Sequence, residues 1–233
     1  MWPEKGSILF FGLKIMLNTL FATALSASLI FTPVSTGDLN VAGQTGQLVE
    51  VGHQVLASEV MDLGNRYPVA SISNGFKENI LVALGYLSLQ GETLQAQNGF
   101  YFVLLPKEIF AFHRKGILPE FNESKIITQE SDFTTNYGYK VVAGLGGNGV
   151  CHLASFINWV ASEAGLEVIA PTNHNFAAIP GIDKKYGTSI STRNSPERQN
   201  LYIRNNFDFP VEFRFFLLGD NLSLTIFAIN QLN

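Results

Sequence analysis

The stretch GLGGNGVCHLASFINWVASEAGLEVIAPTNHNF, residues 144–176, decides much of the fold. It opens with a loop rich in glycine, a residue that adopts positive φ readily and lets another group approach the backbone closely. Asn148 stands where a helix cap is expected. Apolar residues then recur at helical spacing from Val150 to Ala164, and Gly165 marks the end of that helix. The apolar run at residues 166–170 predicts a short buried strand.

Cys151 is the single cysteine of the chain, and it falls in the first turn of this predicted helix. The helix dipole and the free N–H groups at a helix start favour an anion, so we expect a thiolate and a lowered pKa. A helix packed antiparallel on the following strand would return His174 toward the sulfur. The sequence therefore predicts Cys151 as nucleophile, His174 as general base and Asp183 as the group that orients the base, with Asn173 or Asn175 as alternative orienters.

The glycine loop suggests a second role at the same place. Backbone N–H groups over 147–150 are suited to an oxyanion beside the sulfur. His152 is the neighbour of Cys151, and its side chain would point about 100° away on a helix, which suits binding better than base catalysis. The predicted binding residues are Gly147, Asn148, Gly149, His152 and Asn175.

The same residues also allow a plainer interpretation, in which Cys151 is a small buried side chain and His174 an ordinary loop histidine. No cofactor is predicted, because no Lys-Ser/Thr pair follows the glycines as in a phosphate-binding loop. No metal site is predicted either, since a second cysteine and a His-x-x-x-His pair are both missing from the sequence.

The motifs of this region resemble those of the VanW family, in which a glycine triplet, a Cys and a Gln open a helix. Here that segment reads GNGVCH over residues 147–152. Further matching segments are Asn74 to Leu87, LPKEIFAF (105–112), Tyr137-Gly138-Tyr139, His174, Gly181-x-Asp183 and LYIRNNFDFPVEF (201–213). The resemblance covers roughly residues 69–216, and it implies an envelope protein for which the family name gives no reaction.

Three positions depart from the family pattern. Asn148 replaces the middle glycine, His152 the glutamine, and Lys184 a small residue after Asp183. Any role of the glutamine position is therefore not carried over to this chain.

Residues 1–35 are predicted to be a signal anchor or a signal peptide. Residues 15–34 carry no charge, and about 20 apolar residues suffice for a membrane-spanning helix. Lys5 and Lys14 precede this segment, which predicts a cytoplasmic N-terminus and a domain outside the cytoplasm, either held at the cell membrane or secreted after cleavage. Residues 36–68, polar and dotted with glycine up to about residue 58, are predicted to be a linker with at most one short strand, although an ordinary first strand of the domain is an alternative.

Residues 69–233 are predicted to form one α+β domain, in which the cysteine-bearing helix packs on a mostly antiparallel sheet. A first helix is expected from a cap at Asn74 to about Ser88, and a strand at 100–105. Residues 107–136 are expected to be irregular. Alternation over residues 201–226 predicts a final three-strand meander, with Phe213 and Phe215 facing inward.

Three classes of function follow from these features. The first is a thiol acyl-transfer enzyme or hydrolase acting on cell-wall peptide, and the second is a non-catalytic envelope module, anchored by residues 15–34, that binds such peptide. The third is a redox-responsive thiol protein. A nucleic-acid partner is not predicted, because the net charge is −4 and the chain has no basic tract.

Overall fold

The structure is a computed structural model that describes residues 51–94, 99–122, 126–129 and 132–231. These residues belong to one compact unit, Gln47–Asn233. The predicted membrane segment at 15–34 lies outside the described residues. No helix of the described part is both long and apolar enough to cross a membrane.

The described chain is α+β, with mostly antiparallel sheets and two α-helices. Its elements follow in the order β1 (Val51–Asp62), α1 (Ala70–Ser88), β2 (Glu92–Thr93), β3 (Gly99–Leu104), β4 (Ile109–His113), β5 (Ile126–Gln129), β6 (Val141–Val142), β7 (Leu145–Gly146), α2 (Val150–Glu163), β8 (Glu167–Ile169), β9 (Tyr202–Arg204), β10 (Val211–Leu218) and β11 (Asn221–Gln231).

The strands make a five-stranded sheet in the order β1-β11-β10-β3-β2, a four-stranded sheet in the order β5-β4-β9-β8, and the small β6-β7 pair. Only β4 and β5 pair in parallel within the described residues. Helix α2 packs on β1 and β11 of the first sheet and on β8 of the second, and it also contacts α1. One apolar core joins both helices and both large sheets.

The core contains a ladder of stacked phenylalanines that links the two sheets. Phe100 stacks on Phe215 and Phe102 on Phe213, each at 4.9 Å between ring centroids, and Phe102 also stacks on Phe110 of β4. Phe213 and Phe215 are fully buried, which confirms the predicted inward face of β10. Glu212 lies on the opposite face, as the alternation implies, but it is buried there and contacts Arg214 and His53.

Of the two interpretations of residues 36–68, the described part agrees with an ordinary first strand of the domain and not with a linker. Residues 51–62 form β1, which pairs antiparallel with β11 along its whole length, from Val51 opposite Gln231 to Asp62 opposite Asn221. The pairing supplies hydrogen bonds to backbone groups that a solvated linker would leave to water.

The predicted three-strand meander is also wrong, because β9 belongs to the other sheet. It pairs with β4 and β8, while β10 pairs with β11 and β3. At the crossing between the sheets, the amide nitrogen of Asn205 donates to the carbonyls of Leu104 and Phe209. Residues 205–210 therefore connect two sheets instead of forming a hairpin turn.

Three further elements differ from expectation: the start of α1, the position of β8 in its sheet, and strand β4. Helix α1 starts at Ala70, after an extended Val69, so Asn74 lies inside the helix and does not cap it. Strand β8 has a neighbour on one side only and is half-buried, so it is an edge strand. Residues 109–113, expected to be irregular, form the fully buried strand β4.

Candidate functional site

The start of α2 is set by the close approach of α1. Gly149 caps the helix in a left-handed conformation, with φ of 107°, and a Cβ at this position would lie 2.5 Å from the carbonyl oxygen of Phe76. A side chain is therefore excluded at Gly149 by both conformation and space. Asn148 does not cap α2 as predicted; its amide nitrogen donates to the carbonyl of Val142.

The buried side chain of Asn79 holds the glycine loop in place. Its amide nitrogen donates to the carbonyls of Asn148 and Lys140, and its oxygen accepts the N–H of Lys140. Asn79 is not among the predicted site residues, although a polar residue beside the apolar positions Phe76 and Ile80 of α1 is a visible signal. Its three hydrogen bonds explain why a buried amide is stable there.

Two of the four backbone N–H groups proposed as oxyanion donors are already bonded within the loop. The N–H of Gly147 donates to Lys140, and the N–H of Val150 donates to Gly147. The predicted oxyanion site over 147–150 thus has fewer free donors than expected. To bind an oxyanion, the N–H groups of Gly147 and Val150 would have to give up their present hydrogen bonds to backbone carbonyls.

A cavity of about 390 Å³ opens beside the glycine loop and the start of α2. We call it the α2 pocket. Its wall includes Gly147, Asn148, Gly149, Cys151, His152 and His174 from the predicted site. Phe76, Phe133 and Phe176 supply apolar surface to the same wall. The structure thus gathers most of the predicted residues around one cavity.

The Cys151 thiol is bonded to the backbone of Ile190. Its sulfur accepts the N–H of Ile190 at 3.3 Å and donates to the carbonyl of the same residue at 3.7 Å. The Cys151 side chain is partly exposed at the pocket wall. Desolvation of the sulfur nevertheless raises the pKa of the thiol, and the hydrogen bond from Ile190 only partly offsets this rise. The predicted lowering of the pKa is therefore wrong, because desolvation outweighs the helix start.

His174 is buried, but it makes no hydrogen bond to Cys151 within the described chain. Its Nδ1 lies 3.2 Å from the carbonyl of Ala177, which can only accept, so Nδ1 carries the proton. The ring contacts Phe176 at 4.0 Å and His152 at 6.2 Å between centroids. Burial lowers the pKa of His174, so the imidazole is neutral at pH 7.

The predicted orienters of His174 do not perform that role. The Asp183 carboxylate accepts the N–H of Lys185 and caps a short 3-10 helix, and Asp183 does not belong to the pocket wall. Asn173 donates to the carbonyl of Lys184. Asn175 is exposed and does not belong to the pocket wall, so it does not serve as a binding residue there.

His152 points into the domain beside Phe76, with ring centroids 5.2 Å apart. It is 5 % exposed, and its Nδ1 has no hydrogen-bond partner in the described structure. Burial lowers the pKa of His152 to about 3, and the nearby charge of Arg66 adds to this effect. His152 is therefore a neutral hydrogen-bonding group of the pocket wall.

Arg66 also lines this wall, although it is not among the predicted site residues. It is 3 % exposed, and its Nε and Nη1 have no hydrogen-bond partner among the described residues. Burial lowers the pKa of Arg66, and the charge of Asp62 acts in the opposite direction. No signal marked it, because residues 36–68 were interpreted as a linker.

Within the described residues, no group of three or more His, Cys, Asp or Glu side chains is arranged to hold a metal ion. In comparisons with known proteins, no family model, curated protein or solved structure matches this chain. The resemblance to the VanW family therefore rests on the sequence motifs alone.

Proposed function

We propose that this chain is a membrane-anchored, extracytoplasmic binding module of the VanW type, which binds cell-wall peptide in the α2 pocket. The state of the Cys151 thiol carries the proposal. The thiol is bonded to the backbone of Ile190, its pKa is raised, and His174 is engaged with Ala177. A protonated thiol without a base is a poor nucleophile at neutral pH, whereas it is compatible with a pocket wall.

Calorimetric titration of the full chain, purified in detergent, with soluble muropeptides tests the binding. We expect a measurable Kd that Cys151→Ala leaves within about threefold, because the hydrogen bonds of the thiol go to the backbone of Ile190. Asn175→Ala serves as a control, since its side chain is exposed outside the pocket wall. Muropeptides that do not bind at millimolar concentration would overturn the proposal.

The anchor and the location rest on residues 15–34 and on the lysines that precede them. Protease treatment of intact cells tests both. We expect cleavage of the Gln47–Asn233 unit from outside, and a membrane-bound or secreted product after fractionation. Full protection in intact cells, with cleavage after lysis, would contradict the proposed location.

One observation favours a second candidate, a thiol-dependent acyl-transfer or hydrolase enzyme with Cys151 as nucleophile and His174 as base. Cys151, His152 and His174 line the same cavity. Alkylation of the native chain by iodoacetamide separates the two functions. The binding module predicts protection at pH 7 until denaturation. Rapid alkylation at pH 6–7, slowed by His174→Ala, would favour the enzyme.

A further inference from the structure

Arg66 places a positive charge in the wall of the α2 pocket, and two nitrogens of its guanidinium group lack a hydrogen-bond partner in the described chain. Its Nε and Nη1 have no partner in the described chain although the side chain is almost fully buried. Burying an unpaired charge is expensive, and proteins normally supply a partner. Asp62 contributes attraction, but its side chain is exposed and accepts the N–H of Gly64. The missing partner is therefore expected to come with a ligand.

Two further features of the same wall favour a negatively charged ligand group. The amino end of α2, a helix of 14 residues, meets the pocket at Gly149 and Val150, where the helix dipole favours an anion. His152, whose buried Nδ1 has no partner in the described structure, lines the same cavity, and the charge of Arg66 reaches its ring. Arg66, His152 and the helix start thus converge on one cavity.

The charges around the cavity fit a single negative charge. Asp132 also lines the wall, but Lys115 pairs with it at 2.7 Å. Arg193 is exposed at the rim, where solvent screens it. The buried charge of Arg66 is left with only the solvent-exposed Asp62 to offset it among the described residues, so a single carboxylate balances it, whereas a phosphate dianion would leave a negative excess in a desolvated wall.

Resting on the proposed binding function of this pocket, we propose that the α2 pocket recognises a small ligand through one free carboxylate. The carboxylate pairs with the guanidinium of Arg66 near the amino end of α2. The apolar body of the ligand packs on Phe76, Phe133 and Phe176, the last of which is 76 % exposed at the opening. Arg66 also borders a second cavity of about 190 Å³, which the experiment must separate from the first.

The experiment titrates the full chain in detergent with two matched probe pairs. One pair is N-acetyl-phenylalanine and its C-terminal amide, and the other is a muropeptide with a free or an amidated C-terminal carboxylate. We expect each acid to bind at least about tenfold more tightly than its amide, as for a lost charge-assisted hydrogen bond. Arg66→Met should remove this difference, and Arg66→Lys should restore part of it.

Two blocking variants from one loop distinguish the cavities. Ala178 lines the α2 pocket and Pro180 the second cavity. We expect Ala178→Trp to abolish binding of the acids and Pro180→Trp to leave it within about threefold. The reverse result would assign Arg66 to the second cavity and overturn the inference. A thermal unfolding curve of each variant verifies that it is folded.

The outcomes separate the inference from the proposed function. If acids and amides bind equally and Ala178→Trp blocks both, the binding module stands and the carboxylate inference falls. If only N-acetyl-phenylalanine binds, with dependence on Arg66, the carboxylate inference stands and cell-wall peptide falls. If no probe binds at millimolar concentration, both are overturned.

Discussion

Arg66→Met should stabilise the ligand-free protein, although only 3 % of Arg66 is exposed. The variant removes two donors that have no partner in the described structure, and an unsatisfied buried polar group costs about 1–3 kcal/mol. Methionine keeps much of the apolar stem and packs flexibly. The backbone hydrogen bond from Arg66 to the hydroxyl of Ser73 does not involve the side chain and remains.

The lost attraction to Asp62 offsets part of this gain. Because Asp62 is exposed, that attraction is worth at most about 1 kcal/mol. The net expectation is a gain of about 1–2 kcal/mol in the free energy of unfolding. For a domain of this size each kcal/mol corresponds to about 2–4 °C in Tm.

Differential scanning calorimetry and urea unfolding of the full chain, without ligand, measure this effect. Arg66→Lys is the matched control: it keeps the charge, so it should give no gain. In saturating N-acetyl-phenylalanine the order of stabilities should reverse, so that the original protein has a larger free energy of unfolding than Arg66→Met. The reason is that a ligand stabilises only a protein that binds it. A loss of 1 kcal/mol or more for Arg66→Met in the absence of ligand would refute the reasoning and make Arg66 a structural cation.

Three further predictions concern stability. Gly149→Ala should lower the free energy of unfolding in urea by more than about 1 kcal/mol, because φ is positive at Gly149 and the Phe76 carbonyl is near. The control Gly85→Ala, in open space inside α1, should raise the free energy of unfolding by about 0.5–1 kcal/mol. The pKa of His152 is lower in the folded than in the unfolded chain. The stability that the neutral imidazole contributes is therefore complete above about pH 6.5 and is lost as the pH falls toward about 3. His152→Gln should flatten that part of a profile of Tm against pH. Phe213→Ala should cost about 3–5 kcal/mol, and Phe216→Ala, half-exposed on the opposite face, clearly less; equal losses would contradict the face assignment.

Local patterns predicted the elements whose shape is set by nearby residues. Helix α2 runs from Val150 to Glu163 and is followed by Gly165 in a left-handed conformation, as its spacing indicated. The inward face of β10 also follows directly from alternation. In both cases the period of the apolar residues matches the period of the backbone, so the sequence itself carries the information.

Pairing between distant segments could not be predicted in the same way. The register of β1 with β11 joins positions near opposite ends of the described chain, and no pattern within Val51–Asp62 names that partner. Strand β4 is buried at all five positions, so it lacks the alternation that marks a half-exposed strand. Strand β9 joins the second sheet through its pairing with β4 and β8, and no pattern within Tyr202–Arg204 indicates those partners.

The candidate site shows how tertiary burial reverses a local electrostatic rule. A helix start lowers the pKa of a cysteine when water solvates the thiolate, but here desolvation raises the pKa of Cys151 and lowers the pKa values of His152 and His174. All three groups are thereby held neutral, which disfavours a thiolate–imidazolium pair. The same desolvation strengthens the attraction between the Arg66 guanidinium and an incoming anion, because Coulomb energy grows as the dielectric constant falls. An environment unsuited to a nucleophile is thus suited to a carboxylate receptor.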